Sequence, residues 1–259
     1  AVVEGFVKAG FSADCFVMAE GLNPEITHWL ASAPEVTAIG FTGSGMVGKL
    51  LTDIAHKRPT PIPVFAEMGS LNPVFFTPGA LKANAEALAK AALDSATLGS
   101  GQFCTKPGIM VIPTGAEGDE FLKHIESYLG TLKVAPLLNK GIADRYSTAT
   151  AKLAIDSKLK VYRGENSGNG FSVEPTVFVV DWDVAKNNHE LLEEHFGPTS
   201  VIIRSDFANF EKIAEAMEGQ LCAALHASNG EAVAGLLNIL AEKAGRVIMN
   251  GFPTAVAVT

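Results

Sequence analysis

Short apolar runs alternate with stretches of helical spacing along almost the whole chain, and nothing else in the sequence constrains the fold as strongly. Early strands are predicted at Cys15–Ala19, Val36–Phe41 and Val64–Ala66. Later ones fall at Ile109–Ile112, Val177–Val180, Ser200–Ile203, Leu221–His226 and Arg246–Met249. Between them lie helical patterns at Ala1–Ala9, Met46–His56, Leu81–Leu98, Asp119–Leu129, Ile142–Ala154, Ala208–Met217 and Glu231–Ala244. A further helix is predicted up to about Ala33, with Asn23 as its cap and Pro24 at its first position. Strand and helix in turn imply an α/β fold with a mostly parallel sheet and crossover helices. A Gly-Ser turn near Gly69–Asn72 is the natural boundary, dividing 1–69 from 70–259.

Composition narrows the partners. The 259 residues carry a net charge of −8, and no basic block appears, which argues against nucleic acid or an anionic membrane as partner. Three scattered cysteines, Cys15, Cys104 and Cys222, make no disulfide framework and suggest a reducing, cytoplasmic setting. No Cys or His cluster has metal-ligand spacing, so no metal is expected. No apolar run approaches membrane-spanning length, and the first residues do not form a signal peptide. They enter in mid-pattern, as though cut from a longer chain.

Four motifs bear chemistry. Ser100-Gly101-Gln102-Phe103-Cys104-Thr105 joins an Ala-rich helix to an apolar strand. A thiol on such a loop reads equally as a displayed nucleophile or as an inert buried cysteine. Gly43-Ser44-Gly45-Met46-Val47-Gly48 follows a strand and opens a helix, the setting in which small residues and helix N–H groups cradle phosphate. The pattern is weak alone, because turn glycines are common there. Glu67 ends the strand Val64–Ala66 at the sheet's expected carboxyl edge, where burial would suit it to general-base work. A solvent-facing strand end is the plainer reading. Glu193-Glu194-His195-Phe196-Gly197-Pro198 offers carboxylates and a ring to ribose and a flat heterocycle, or is simply a helix end stopped by Gly-Pro.

Taken in order, Phe41-Thr42-Gly43-Ser44, Glu67-Met68-Gly69, Gly101-Gln102-Phe103-Cys104 and Glu194-His195-Phe196-Gly197-Pro198 resemble the signature set of the aldehyde dehydrogenase superfamily. Asn250-Gly251-Phe252-Pro253-Thr254 resembles the branch that oxidises α-ketoglutarate semialdehyde. The resemblance implies the second half of a Rossmann-type cofactor domain in 1–69 and a catalytic domain in 70–259, truncated at both ends. It implies Cys104 as nucleophile and Glu67 as general base. It places Gly43 and Ser44 at the pyrophosphate of NAD or NADP, Glu194 on the nicotinamide ribose and Phe196 beside the nicotinamide. Phe103 and Phe252 become walls of the aldehyde pocket, and the full-length protein a homo-oligomer.

Family members are longer than this chain. An upstream asparagine that completes the oxyanion hole, an upstream lysine strand that holds the adenosine ribose, and a downstream segment fall outside it. The expectation is therefore weak cofactor binding and weak or no turnover by these residues alone, since one lost oxyanion donor costs about 10²–10³-fold. Uncovered apolar edges are expected as well. Two other functions remain open at this point: a non-catalytic fragment with the same fold, and a thiol hydrolase pairing Cys104 with a histidine. Cys15 and Cys222 read as core thiols and His226 as a satisfied structural histidine. His28, His56, His124 and His189 read as solvent-facing.

Overall fold

The computed structural model describes residues 1–21 and 25–254. The chain divides into two compact units, Ala1–Gly69 and Ser70–Thr259. The Asn23 cap and Pro24 lie outside the described residues.

The first unit holds β1 (Ile39–Thr42) and β2 (Val64–Glu67), paired in parallel so that Thr42 stands opposite Glu67. Its helices are α1 (Val2–Lys8), α2 (Glu25–Ser32) and α3 (Gly45–Lys57), with a 3₁₀ turn at Ala13–Cys15. Helix α3 buries Gly48, Leu51 and Ala55 at helical spacing. Gly48 lets it approach the strands: a Cβ there would meet the Met68 sulfur at 2.7 Å. The run Cys15–Ala19 forms no strand. Val17 is 82% and Met18 70% exposed, and Cys15 is exposed rather than a core thiol. An apolar run becomes a strand only where a neighbour takes its backbone N–H and C=O groups, and the strands of this unit, among the described residues, pair only with each other.

The second unit is a seven-stranded sheet in the order β5-β6-β7-β4-β3-β8-β9. Its strands are β3 (Val74–Phe76), β4 (Ile109–Pro113), β5 (Lys160–Arg163), β6 (Thr176–Asp181), β7 (Thr199–Ser205), β8 (Gln220–His226) and β9 (Ala244–Met249). All neighbours run parallel except β5, which is antiparallel to β6. The helices are α4 (Pro78–Thr97), α5 (Ala116–Leu129), α6 (Lys140–Ala154), α7 (Trp182–Ala185), α8 (Phe210–Glu215) and α9 (Ala234–Lys243).

Burial on both faces explains why the central strands read as continuous apolar runs. Alternate residues serve opposite layers. Val74, Phe76, Met110, Ile112, Val177 and Ile202 pack with the alanines of α4 and with Phe121 and Ile125 of α5. Phe75, Ile109, Val111, Phe178, Val201 and Ile203 pack with Phe210, Ile213, Leu236 and Leu240 of α8 and α9. Two strands lack a long apolar run. β3 has three residues after Pro73, and β5 is a charged edge.

The carboxyl end of β8 carries a buried histidine. His226 stacks on Phe76 at 4.9 Å and lies 4.6 Å from Phe252. Its ring bonds to the Gly251 backbone, while Nε2 is buried without a hydrogen-bond partner, so the histidine is only half satisfied. Burial pushes its pKa from 6.5 down to about 4. The unfolded chain therefore binds more protons between these values, and stability falls as pH falls through this window. The expected loss from pH 6.5 to 4 is about 3 kcal/mol. Urea unfolding at graded pH checks it; a His226→Leu variant with the same slope in that window would remove His226 as the cause.

Candidate active site

In the second unit the site forms at the amino-terminal edge of the sheet, around the connection from α4 to β4. A 3₁₀ turn, Leu98–Gly101, ends α4. Gly99, Ser100 and Gly101 are all left-handed, with φ of 56°, 58° and 69°. Glycine adopts this region freely, whereas a serine there is strained. Ser100 is held by burial and by its hydroxyl, which donates to the Ala135 carbonyl at 2.8 Å. At Gly101 a Cβ would overlap the Gly197 carbonyl, so the loop lies directly against the segment before β7. Gln102 accepts from the Leu138 amide at 2.9 Å. The sequence thus places Cys104 on a loop that is fixed on its amino side, and Cys104 is exposed. Phe103, beside it, is 36% exposed, with its ring over Gly99.

The carboxyl side of the loop is fixed by a polar network that sequence reasoning missed. Asn72 is fully buried and left-handed, with φ of 45°. Its side-chain amide donates to the Cys104 carbonyl at 2.8 Å and the Lys106 carbonyl at 2.9 Å. Its oxygen accepts from the Ser70 hydroxyl at 2.9 Å and the Cys222 amide at 3.2 Å. Gln220 in turn accepts from the Leu71 amide at 2.7 Å and the Asn72 amide at 3.1 Å. Every polar atom of the Asn72 side chain is satisfied, as a buried amide requires. Cys222 is buried, and burial pushes its thiol up, so it stays a neutral core group as its sequence context implied.

Lys106 was missed too. It is 2% exposed, and its ammonium donates to the His195 carbonyl at 3.1 Å and the Thr199 carbonyl at 2.7 Å. Burial lowers its pKa to about 8, against the charge of Glu194, which favours the ammonium. Glu194 is partly buried; burial pushes its carboxyl up, while Lys106 and the Ser70 backbone pull it back. One signal in the sequence could have found this lysine. It is a lone charge between Thr105 and Pro107-Gly108, where the chain enters a wholly buried strand.

The neighbouring residues divide clearly. His195 turns its Nε2 to the Glu190 carbonyl at 3.0 Å, which ties the ring to its own turn. Phe196 is 37% exposed. Gly197 has φ of 142° and abuts the Tyr146 ring, whose hydroxyl donates to the Pro198 carbonyl at 3.1 Å. Phe252 packs on Phe76 at 6.2 Å and on His226, at the carboxyl ends of β3 and β8. Two residues on, the Thr254 hydroxyl donates to the Ser95 carbonyl at 2.9 Å, which brings the chain back to the end of α4.

In the first unit Gly43 and Ser44 form the turn from β1 into α3, and Glu67 is the last residue of β2. The Gly43 amide donates to the Glu67 carbonyl at 3.0 Å, joining the two strand ends. Ser44 occupies the N-cap of α3, yet its side chain makes no capping bond. The helix therefore keeps a donor-rich N-terminus. Nothing lies within 4 Å of a Cβ at Gly45, so the middle glycine of GxGxxG serves no close approach, whereas Gly48 packs α3 against Met68. Glu67 is exposed, not buried. Among the described residues no group of three His, Cys, Asp or Glu could hold a metal, and no helix is long and apolar enough to cross a membrane.

Known proteins resemble this chain in sequence and in fold. The chain is 37% identical over 262 residues to an alpha-ketoglutaric semialdehyde dehydrogenase of Azospirillum brasilense, covering 100% of this chain and 50% of that protein. It is 34% identical over 267 residues to an alpha-ketoglutaric semialdehyde dehydrogenase of Acinetobacter baylyi, with the same coverage. The chain thus spans about half the length of the curated relatives it matches. The fold is that of a 1-pyrroline-5-carboxylate dehydrogenase from Thermus solved with bound NAD, at a TM-score of 0.83 and 22% identity. That likeness covers 99% of this chain and 51% of the Thermus chain. The profile of the aldehyde dehydrogenase family matches residues 1–259, and the chain belongs to that family.

Proposed function

We propose that the protein oxidises an aldehyde to a carboxylic acid with NAD or NADP, and that the aldehyde is α-ketoglutarate semialdehyde. The observation that carries the reading is Cys104, exposed on a loop that Asn72 and the left-handed turn hold in one place. The substrate class rests on the two semialdehyde dehydrogenases to which the chain is similar. A cytoplasmic setting and self-association belong to the same reading.

Each unit carries groups suited to part of a nicotinamide dinucleotide. The Gly43–Ser44 turn ends in uncapped helix N–H groups suited to a pyrophosphate. Glu194 offers a partly buried carboxylate suited to ribose hydroxyls, and Phe196 an accessible ring. When bound, the cofactor supplies the acceptor for hydride.

The chain's own groups account for the rest. The Cys104 thiolate adds to the aldehyde carbon and forms a thiohemiacetal. The Cys104 backbone N–H is the donor proposed for the developing oxyanion. Loss of hydride from that carbon leaves a thioester on Cys104. Glu67 takes a proton from water, which attacks the thioester carbonyl; the acid leaves and the thiol is restored. Thiolate suits both ends of the cycle, being a strong nucleophile and a good leaving group.

Glu67→Gln separates these steps. Acylation is expected to survive and deacylation to slow by about 10²–10⁴-fold. Stopped-flow absorbance should then show one equivalent of reduced cofactor per site, followed by almost no steady state. Undiminished turnover in the variant would remove Glu67 from the role of base. Full-length wild-type protein that reduces neither NAD nor NADP with any aldehyde would overturn the reading as a whole.

A further inference from the structure

We propose that Lys106 is a positioning residue that locks the nucleophile loop to the segment bearing Glu194 and so holds that carboxylate in place for the cofactor. The role of Glu194 rests on the proposed function; the lock itself is read from the structure.

A lysine this deeply buried is costly, because the charged form loses its water. Two neutral carbonyls do not call for a cation, since any N–H donor would satisfy them. Yet the ammonium is spent on the carbonyls of His195 and Thr199, which flank the turn between Glu194 and β7. On its own backbone side, the Lys106 carbonyl is held by Asn72, which also holds the Cys104 carbonyl. One side chain thus links the loop of Cys104 to the turn that carries Glu194 and Phe196. The charge has a partner in that turn: Lys106 pulls down the Glu194 carboxyl that burial pushes up. A neutral donor would preserve the hydrogen bonds and lose this second effect.

The test is a double-mutant cycle on cofactor binding in the full protein, with NADH and NADPH as probes and their fluorescence as readout. Lys106→Met and Glu194→Gln are each expected to weaken binding about tenfold, as loss of a hydrogen bond to a charged group does. If Lys106 acts through Glu194, the double variant should be no more than about twofold weaker than the worse single one. A merely structural lysine would give effects that multiply, and that result overturns the proposal, as does unchanged binding by Lys106→Met. Thermal unfolding follows each variant. Where Lys106→Met does not fold, Lys106→Gln, which keeps a donor and drops the charge, carries the same cycle. If neither folds, Lys106 is structural and the proposal falls. Wild-type protein that binds neither probe overturns the proposed function itself, whereas wild-type binding with a multiplicative cycle overturns only the role of Lys106.

Discussion

Cys104→Ala is expected to lower aldehyde-dependent formation of reduced cofactor by about 10⁴-fold or more, the scale seen when a nucleophile that forms a covalent intermediate is removed. The folded structure should survive the change. Asn72 holds the loop through the Cys104 carbonyl, a main-chain atom that alanine retains. The side chain is exposed, and substitution at such positions usually moves stability by no more than about 0.5 kcal/mol. The decisive measurement pairs initial rates with thermal unfolding of the same preparation. Activity that persists with an intact fold would mean that another group attacks the aldehyde. Lost activity with a lost fold would say nothing for the nucleophile, so the unfolding trace is part of the result.

The second large effect falls three residues earlier. Gly101→Ala meets two penalties at once. The backbone has φ of 69°, a region costing an alanine roughly 1–2 kcal/mol. The new Cβ would also overlap the Gly197 carbonyl, which is main chain and has little room to yield. Together these are expected to cost about 3 kcal/mol or more and to displace the Cys104 loop from the turn behind Glu194. Gly230→Ala is the matched control. Gly230 has φ of 86°, but nothing lies within 4 Å of its Cβ position. Urea unfolding of the two variants separates backbone strain from overlap. Equal losses would show that the close approach of Gly101 to Gly197 carries no energy.

The placements in the fold that the sequence made legible are those written in residue type and immediate neighbours. Cys104 between two element ends, Glu67 at a strand end and Gly43-Ser44 before a helix are local patterns. So are the buried strands: β4, β6 and β7 are apolar on both faces because both faces are covered. What escaped depends on partners far along the chain. Val74–Phe76 is too short to show a period, and its strand character comes from pairing with β4 and β8. Cys15–Ala19 has the composition of a strand, but among the described residues no strand pairs with it. Asn72 and Lys106 look like an ordinary turn asparagine and an ordinary surface lysine. Their roles arise only when residues 34 and 93 positions downstream arrive beside them.

That long-range dependence governs when the site can form. The bond from the Asn72 amide to Gln220 spans 148 residues, and the Lys106 bond to Thr199 spans 93. Contacts of such separation carry a heavy loop-closure cost and form late in folding. On a ribosome, Cys104 emerges long before the strand that completes its anchorage. Until β7 is synthesised and docked, the loop lacks the Gly197 segment against which Gly101 packs and the carbonyls that hold Lys106. The nascent chain thus passes through a stage in which the proposed nucleophile is present and the segment that backs it is not, and reactive aldehydes met then would find a cysteine without a complete site.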